Sequence, residues 1–188
     1  MGNRKELEAG IEEIRHRLGG APLNALVNNA AISPKAEGGK RLGSVATEIG
    51  TWDRVFQVNF FAPILLARGL IKELQMGRGS IVNVTSIAGS RVHPFAGSPY
   101  ATSKAALSVL TREMAADFGP YGVRVNAIAP GEIDTAILSR GTEELVKQIP
   151  LRRIGEPEEV AEIIYFLCSE QSSYISGAEI HVNGGEHV

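Results

Sequence analysis

The alternation of short apolar segments with longer segments of helical periodicity is the feature that most constrains how this chain can fold. Buried strands are predicted at residues 25–28, 80–85, 123–129 and 178–182. Helices are predicted over residues 4–18, 51–76, 99–118, 142–148 and 157–169. Strands that are apolar along their whole length are typical of a parallel sheet covered by helices on both faces. The sequence therefore predicts an α/β fold with three layers.

Charge and hydropathy exclude two classes of partner. The 19 basic and 21 acidic residues leave a net charge of −2, so we expect no surface for nucleic acid or for anionic lipid. The most apolar region, residues 55–66, is interrupted by Gln57, Asn59 and Pro63, and it is too short and too polar to span a bilayer. We therefore expect neither nucleic acid nor membrane as a partner.

The chain is expected to form one domain in a reducing compartment. Its 188 residues contain no internal repeat and no low-complexity linker, so residues 1–188 are interpreted as a single domain. Cys168 is the one cysteine, which excludes an internal disulfide and favours a cytoplasmic location.

Parallel sheets bind ligands beyond the carboxyl ends of their strands, which draws attention to residues 28–31, 85–89 and 130–135. Ser86 lies at one of these ends, where its hydroxyl can hydrogen-bond a substrate oxygen. The alternative is a serine that closes a turn between a strand and a helix.

Tyr100 and Lys104 are four residues apart at the start of a predicted helix, and this spacing places them on one face. A tyrosine acts as a general acid or base near neutral pH only if its pKa of about 10 falls by some 2–3 units, which corresponds to roughly 3–4 kcal/mol. One ammonium about 4 Å away supplies about 4 kcal/mol at an effective dielectric constant near 20. The pair is thus a candidate catalytic pair, although the same spacing also arises by chance.

Asn59 and Pro63 interrupt the regularity of the long predicted helix 51–76. Proline has no N–H group, so the carbonyl of Asn59 loses its helical partner and requires another, such as a water molecule. A kink beside an active site and a purely structural kink are both consistent with this pattern.

Taken together and in order, several motifs resemble the short-chain dehydrogenase/reductase family. They are Asn-Asn-Ala-Ala at 28–31, Asn-Val-Thr-Ser at 83–86, Tyr-Ala-Thr-Ser-Lys at 100–104, Arg-Val-Asn-Ala-Ile-Ala-Pro-Gly at 124–131 and the segments 155–161 and 176–185. The resemblance implies a Rossmann-like, doubly wound parallel sheet. Where the family usually has glycine, this chain has Ala31.

The resemblance also implies roles for individual residues. Tyr100 would donate or accept a proton at the substrate oxygen, Lys104 would lower the pKa of Tyr100 and bind the nicotinamide ribose, Ser86 would hold the substrate oxygen, and Asn59 would extend a proton relay through water. The residues implied to bind NAD or NADP are Asn28, Ala30, Tyr100, Lys104, Pro130, Gly131, Ile133 and Thr135. The implied substrate is a small alcohol or carbonyl compound, and the implied assembly is a homotetramer or homodimer.

Loops would shape the substrate pocket by the same analogy, namely residues 90–99 and 132–150. His93 lies in the first of them and is a candidate contact for a polar group. A histidine in an exposed loop is, however, more often without a specific role.

The chain departs from the family in one respect, because it contains no glycine-rich turn of the kind that cradles the cofactor pyrophosphate. Strands 3, 2 and 1 of the 3-2-1-4-5-6 order are therefore expected to be absent, which makes the Rossmann domain N-terminally incomplete and leaves strand 25–28 at an apolar edge. The sequence predicts an NAD(P)-dependent oxidoreductase. The alternative is a truncated, non-catalytic remnant that keeps only the oligomerisation surfaces.

Overall fold

A computed structural model describes residues 4–135, 138 and 141–188. Within them, four parallel strands form one sheet in the order β1-β2-β3-β4. The strands are β1 (Ala25–Asn28), β2 (Ser80–Val84), β3 (Arg124–Pro130) and β4 (Glu179–Val182). The predicted α/β architecture is confirmed.

Helices connect the strands. They are α1 (Arg4–Leu18), α2 (Ile49–Phe56), α3 (Ala62–Gly69), α4 (Ile71–Gly77), α5 (Ser98–Phe118), α6 (Thr142–Val146) and α7 (Pro157–Cys168). Short 3₁₀ turns lie at Glu37–Gly39, Ile87–Gly89, Gly119–Tyr121 and Glu170–Ser172. Helix α7 begins with Pro157, and a capping box formed by Glu156 and Glu159 satisfies its first N–H groups.

The sheet is buried on both faces because side chains alternate along each strand. Ile81 pairs in register with Val125, and both face a core that also contains residues of α1, α3, α4 and α5. Val84 pairs with Ile128 on the opposite face, where Leu167 of α7 covers them. Burial of each such side chain contributes roughly 1.5–3 kcal/mol. Helices on both faces confirm the doubly wound, three-layer arrangement.

The single long helix predicted over residues 51–76 is not observed. A π-helical turn at Gln57–Phe61 separates α2 from α3, and Ala62 donates its N–H to the carbonyl of Gln57. Leu70 then separates α3 from α4, and the segments Ile49–Gly69 and Ile71–Gly77 meet at an angle of 63°. The predicted irregularity around Asn59 thus takes the form of a π turn, which is frequent at functional sites.

The described part of the chain contains no single helix with the length and apolar character of a membrane span. The bent pair Ile49–Gly69 and Ile71–Gly77 passes that test only when its two members are taken together.

Strand β1 lies at one edge of the described sheet, as the sequence predicted. Ala25 is exposed and Val27 is 39% exposed, whereas Asn28 is buried at the end of the strand.

Candidate active site

A cavity of about 570 Å³ opens at the carboxyl ends of the strands. Thr85 and Ser86, which follow β2, line one part of it together with residues 130–133 and 135 at the end of β3. Tyr100 and Lys104 of α5 line another part. Its volume lies in the range of about 300–1,000 Å³ typical of small-molecule sites. The position is the one expected for a ligand in an open parallel sheet.

Ser86 begins the 3₁₀ turn Ile87–Gly89, and its Oγ accepts a hydrogen bond of 3.2 Å from the N–H of Ala88. Gly89 lets this turn approach α5 closely, because a Cβ there would lie 2.9 Å from the backbone nitrogen of Ala105. The turn therefore holds Ser86 against the helix that carries Tyr100 and Lys104. Ser86 caps the turn, as one alternative predicted, and it also lines the cavity.

Lys104 is buried, with 2% of its surface exposed. Its Nζ donates a hydrogen bond of 2.6 Å to the carbonyl of Val84 and lies 5.7 Å from the centroid of the Tyr100 ring. Burial lowers the pKa of Lys104 to about 8. The i,i+4 spacing on α5 thus brings the ammonium close to the tyrosine, as predicted.

The pKa of Tyr100 changes in the direction opposite to the prediction. Burial raises it, a hydrogen bond with the side chain of Ser86 works against that increase, and the negative charge of Glu132 adds to it. The sequence argument considered only the attraction of Lys104 and left out the cost of burying a phenolate. Tyr100 is therefore a neutral phenol at neutral pH in this structure.

Asn59 has a structural role that the sequence did not predict. Its Nδ2 donates to the carbonyl of Ile32 at 3.0 Å and to Oγ of Ser103 at 3.1 Å, and its Oδ1 accepts from the N–H of Ile32 at 2.9 Å. Asn59 is 1% exposed and is not among the residues that line the cavity. Its side chain is engaged in joining the segment after β1 to α5, so any part in a proton relay belongs to its backbone carbonyl.

Six of the eight predicted cofactor residues line the cavity, and Asn28 and Ala30 do not. Their neighbours Asn29 and Ala31 line it instead. Asn28 turns inward, where its Nδ2 donates to Oδ1 of Asn83 at 2.8 Å. Neighbouring residues in an extended segment face opposite sides, and short sequence motifs do not reveal which side faces a ligand.

The sequence predictions did not include the polar wall of the cavity, which is formed by Lys35, His93 and Glu132. His93 is 8% exposed rather than an exposed loop residue, and its Nε2 lies 2.6 Å from Oε1 of Glu132. Lys35 lines the cavity beside them. The available signal was the position of Glu132, a carboxylate directly after the Pro130–Gly131 turn at the predicted edge of the sheet.

The cavity suits the nicotinamide end of a dinucleotide. Pro130 and Ile133 supply apolar surface for a flat ring, and Thr135 supplies a hydroxyl. The ammonium of Lys104 has three N–H donors. Among its described contacts, the hydrogen bond to the carbonyl of Val84 uses one of them. The remaining donors can bind ribose hydroxyls, so the residues present fit this group.

Comparisons with known proteins show the family to which the chain is similar. The family model described as enoyl-(acyl carrier protein) reductase matches residues 1–187. Protein FixR of Bradyrhizobium diazoefficiens is 60% identical over 189 residues, which cover 100% of this chain and 68% of that protein. The chain spans 59% of the length of three further curated relatives.

Solved structures show the same fold. A short-chain dehydrogenase/reductase family oxidoreductase from Brucella ovis, in complex with a partially ordered NAD, is 62% identical, with a TM-score of 0.84 over 97% of this chain and 75% of that chain. A blue fluorescent protein from a metagenomic library, in complex with NADPH, is 28% identical, with a TM-score of 0.88 over 100% of this chain and 73% of that chain. The chain therefore belongs to the short-chain dehydrogenase/reductase family.

Proposed function

We propose that the protein is an NAD(P)-dependent oxidoreductase that interconverts an alcohol with a ketone or aldehyde. The observation that carries the proposal is the meeting of Ser86, Tyr100 and Lys104 at one cavity beyond the carboxyl ends of the strands. A hydroxyl, a phenol and a buried ammonium at one site form the set needed to hold a carbonyl oxygen and to move one proton to or from it.

Each residue has a separate task in carbonyl reduction. Ser86 donates a hydrogen bond to the substrate oxygen, and the O–H of Tyr100 donates its proton to the same oxygen. The raised pKa of Tyr100 supports this direction, because the phenol holds its proton at neutral pH until the substrate oxygen needs it. Lys104 stabilises the phenolate that remains. Bound NAD or NADP supplies or accepts the hydride at the nicotinamide ring.

The experiment that tests this proposal begins with binding. The protein is titrated with NADH and with NADPH, and the nicotinamide fluorescence is followed. Saturable binding of one of them is expected and identifies the preferred cofactor. A folded protein that binds neither contradicts the proposal and favours the non-catalytic alternative.

A substitution at Tyr100 then tests the chemistry. Tyr100→Phe removes the proton donor, so we expect hydride transfer to fall by about 10²–10⁴-fold while cofactor binding stays within a factor of about 3. Tyr121→Phe is the matched control, because Tyr121 is 51% exposed and lies outside the cavity. Undiminished turnover in Tyr100→Phe would rule out the assigned role.

We also infer that the protein acts in the cytoplasm as a homodimer or homotetramer. The single cysteine supports a reducing compartment. Phe61 and Val109, which are 47% and 49% exposed, place apolar surface on adjacent helical segments and support self-association.

A further inference from the structure

The polar wall of the cavity consists of Lys35, His93 and Glu132, with Glu186 beside them. His93 and Glu132 are 8% and 9% exposed, and both line the cavity that contains Tyr100. Glu186 is 5% exposed, and its carboxylate lies within 4.8 Å of the other two groups. The catalytic roles assigned above make no use of this wall.

The hydrogen bonds of His93 indicate which of its two ring nitrogens is the donor. Its Nδ1 accepts from the N–H of Phe95 at 3.2 Å and from the N–H of Ala96 at 3.3 Å, so this nitrogen carries no proton. The other nitrogen, Nε2, therefore carries the proton and donates it to Oε1 of Glu132 at 2.6 Å. His93 thus donates from Nε2 to Glu132 and orients its carboxylate.

A metal ion is a poor occupant of this cluster, although His93, Glu132 and Glu186 have ligand atoms within 4.8 Å of one another. A histidine that binds a metal through one nitrogen almost always donates a hydrogen bond from the other. Here two backbone N–H groups point at Nδ1, so it cannot become a donor without losing both bonds. The geometry instead makes Glu132 an acceptor.

Oε1 of Glu132 accepts the hydrogen bond from His93, so the second carboxylate oxygen of Glu132 is a further acceptor in the wall. Oε2 of Glu186 is buried and has no hydrogen-bond partner among the described residues. Lys35 donates to the carbonyl of Phe95, and Arg91 donates to the backbone carbonyl of Glu186 rather than to its carboxylate. Glu132, the carboxylate that lines the cavity, attracts a group that can donate hydrogen bonds.

We propose, on the basis of the oxidoreductase function above, that Glu132 selects carbonyl compounds and alcohols that carry a hydrogen-bond donor next to the reacting carbon. A neighbouring hydroxyl and a neighbouring ammonium share this chemistry. Glu132 accepts from that donor while Tyr100 and Ser86 hold the reacting oxygen. His93 acts as a positioning residue that fixes the carboxylate.

The same geometry disfavours acyl thioesters as substrates. The carbons beside the keto carbon of a 3-oxoacyl thioester are methylene groups, which offer no N–H or O–H to Glu132. A bound thioester would give Glu132 no hydrogen bond beyond the one from His93, and sites built around a polar partner discriminate strongly against ligands that lack it.

The first test measures binding without turnover. Cyclohexanol, cyclohexane-1,2-diol and 2-aminocyclohexanol are titrated into the protein, and their dissociation constants are measured by ligand-observed NMR. One hydrogen bond to a charged group corresponds to at least about tenfold in affinity, so the diol, the amino alcohol or both should bind at least that much more tightly than cyclohexanol. Tighter binding of the diol would identify a hydroxyl as the preferred donor, and tighter binding of the amino alcohol would identify an ammonium. Equal binding of all three overturns the proposal.

Glu132→Gln assigns the preference to this residue. The amide oxygen still accepts from Nε2 of His93, so the variant is expected to fold, and its affinity for cyclohexanol is the internal reference. The preference for the amino alcohol should fall at least about tenfold because the charge is lost, and a preference for the diol should fall less because the amide oxygen remains an acceptor. Asp134→Asn is the matched control, since Asp134 is exposed and does not line the cavity. An unchanged preference in Glu132→Gln overturns the proposal.

Turnover of 2-hydroxycyclohexanone and cyclohexanone with the reduced cofactor separates this inference from the proposed function. If the binding preference holds and neither ketone reacts, Glu132 recognises the donor and the oxidoreductase function fails. If both ketones react equally and the three alcohols bind equally, the function stands and the assignment of Glu132 fails.

Discussion

At the scale of single residues, burial has the largest effect on the pKa values of the two titratable groups Tyr100 and Lys104. Burial raises the pKa of Tyr100 and lowers that of Lys104, so both groups favour their neutral forms more than they would in water. The free protein therefore holds a protonated phenol beside a lysine that loses its proton easily. This is a suitable starting state for donating a proton to a carbonyl oxygen.

Lys104 should make stability depend on pH. Its pKa of about 8 in the folded protein lies below the ordinary value of 10.5. The unfolded chain therefore binds more protons between these two values, and the contribution of Lys104 to the free energy of unfolding rises by roughly 3 kcal/mol as the pH increases through this window. Below pH 8 the buried charge lowers stability by a constant amount.

Lys104→Met tests this dependence. At pH 7 the variant should gain stability from removal of the buried charge, and the difference from the parent protein should shift by roughly 3 kcal/mol in favour of the parent between pH 8 and 10.5. Urea unfolding across this range measures it, and the exposed Lys40→Met is the matched control. A difference that does not change with pH would contradict the assigned burial of the ammonium.

At the scale of elements, the site depends on how closely neighbouring segments approach. The turn Ile87–Gly89 lies directly on α5, and Asn59 in the π turn joins Ile32 to Ser103. These contacts hold the cavity walls together although their residues are distant in the sequence. The π turn thus contributes to the site through the inward orientation of Asn59.

Gly89→Ala should separate the Ser86 turn from α5. The added Cβ would lie 2.9 Å from the nitrogen of Ala105 and 3.1 Å from the carbonyl carbon of Lys104, and both are backbone atoms that cannot move independently. We expect a loss of about 1–3 kcal/mol in the free energy of unfolding and lower hydride transfer, because Ser86 moves.

Gly50→Ala is the control for that change. Gly50 lies in α2, and a Cβ there would contact nothing within 4 Å, so the substitution should leave stability unchanged or raise it by up to about 1 kcal/mol. Urea unfolding of the two variants compares them directly. Equal stability of Gly89→Ala and Gly50→Ala would show that the approach to α5 is not tight.

At the scale of the whole molecule, the sheet separates two hydrophobic cores, and the cavity lies at the carboxyl ends of its strands. Alternate residues of β2 and β3 face the helical layers on opposite sides of the sheet. Ser86 and Gly131 directly follow these two strands and line the cavity. One sheet therefore provides both the rigidity and the position of the site.

Self-association is the prediction at this scale. Phe61 and Val109 are partly exposed apolar residues, and Phe61 packs edge to face on Phe60 with ring centroids 5.3 Å apart. We expect light scattering with size exclusion to show a dimer or tetramer, and a double substitution of Phe61→Glu and Val109→Glu to shift it toward the monomer. Tyr174→Glu, at a fully exposed position, should leave the assembly unchanged. A monomeric parent protein at micromolar concentration would contradict the inference.

The sequence alone determined the α/β alternation, the approximate bounds of most elements and the placement of Ser86, Tyr100 and Lys104 at the site. These features are encoded locally, in hydrophobic periodicity and in a four-residue spacing on one helix. Tertiary packing breaks the 51–76 helix into shorter elements, turns Asn28 inward, raises the pKa of Tyr100 and buries His93 against Glu132. His93 and Glu132 are 39 residues apart, and their contact depends on how two loops pack over the same strand ends. Burial and long-range contacts determine the protonation and the orientation of these side chains, and neither can be predicted from the residues adjacent to them in the sequence.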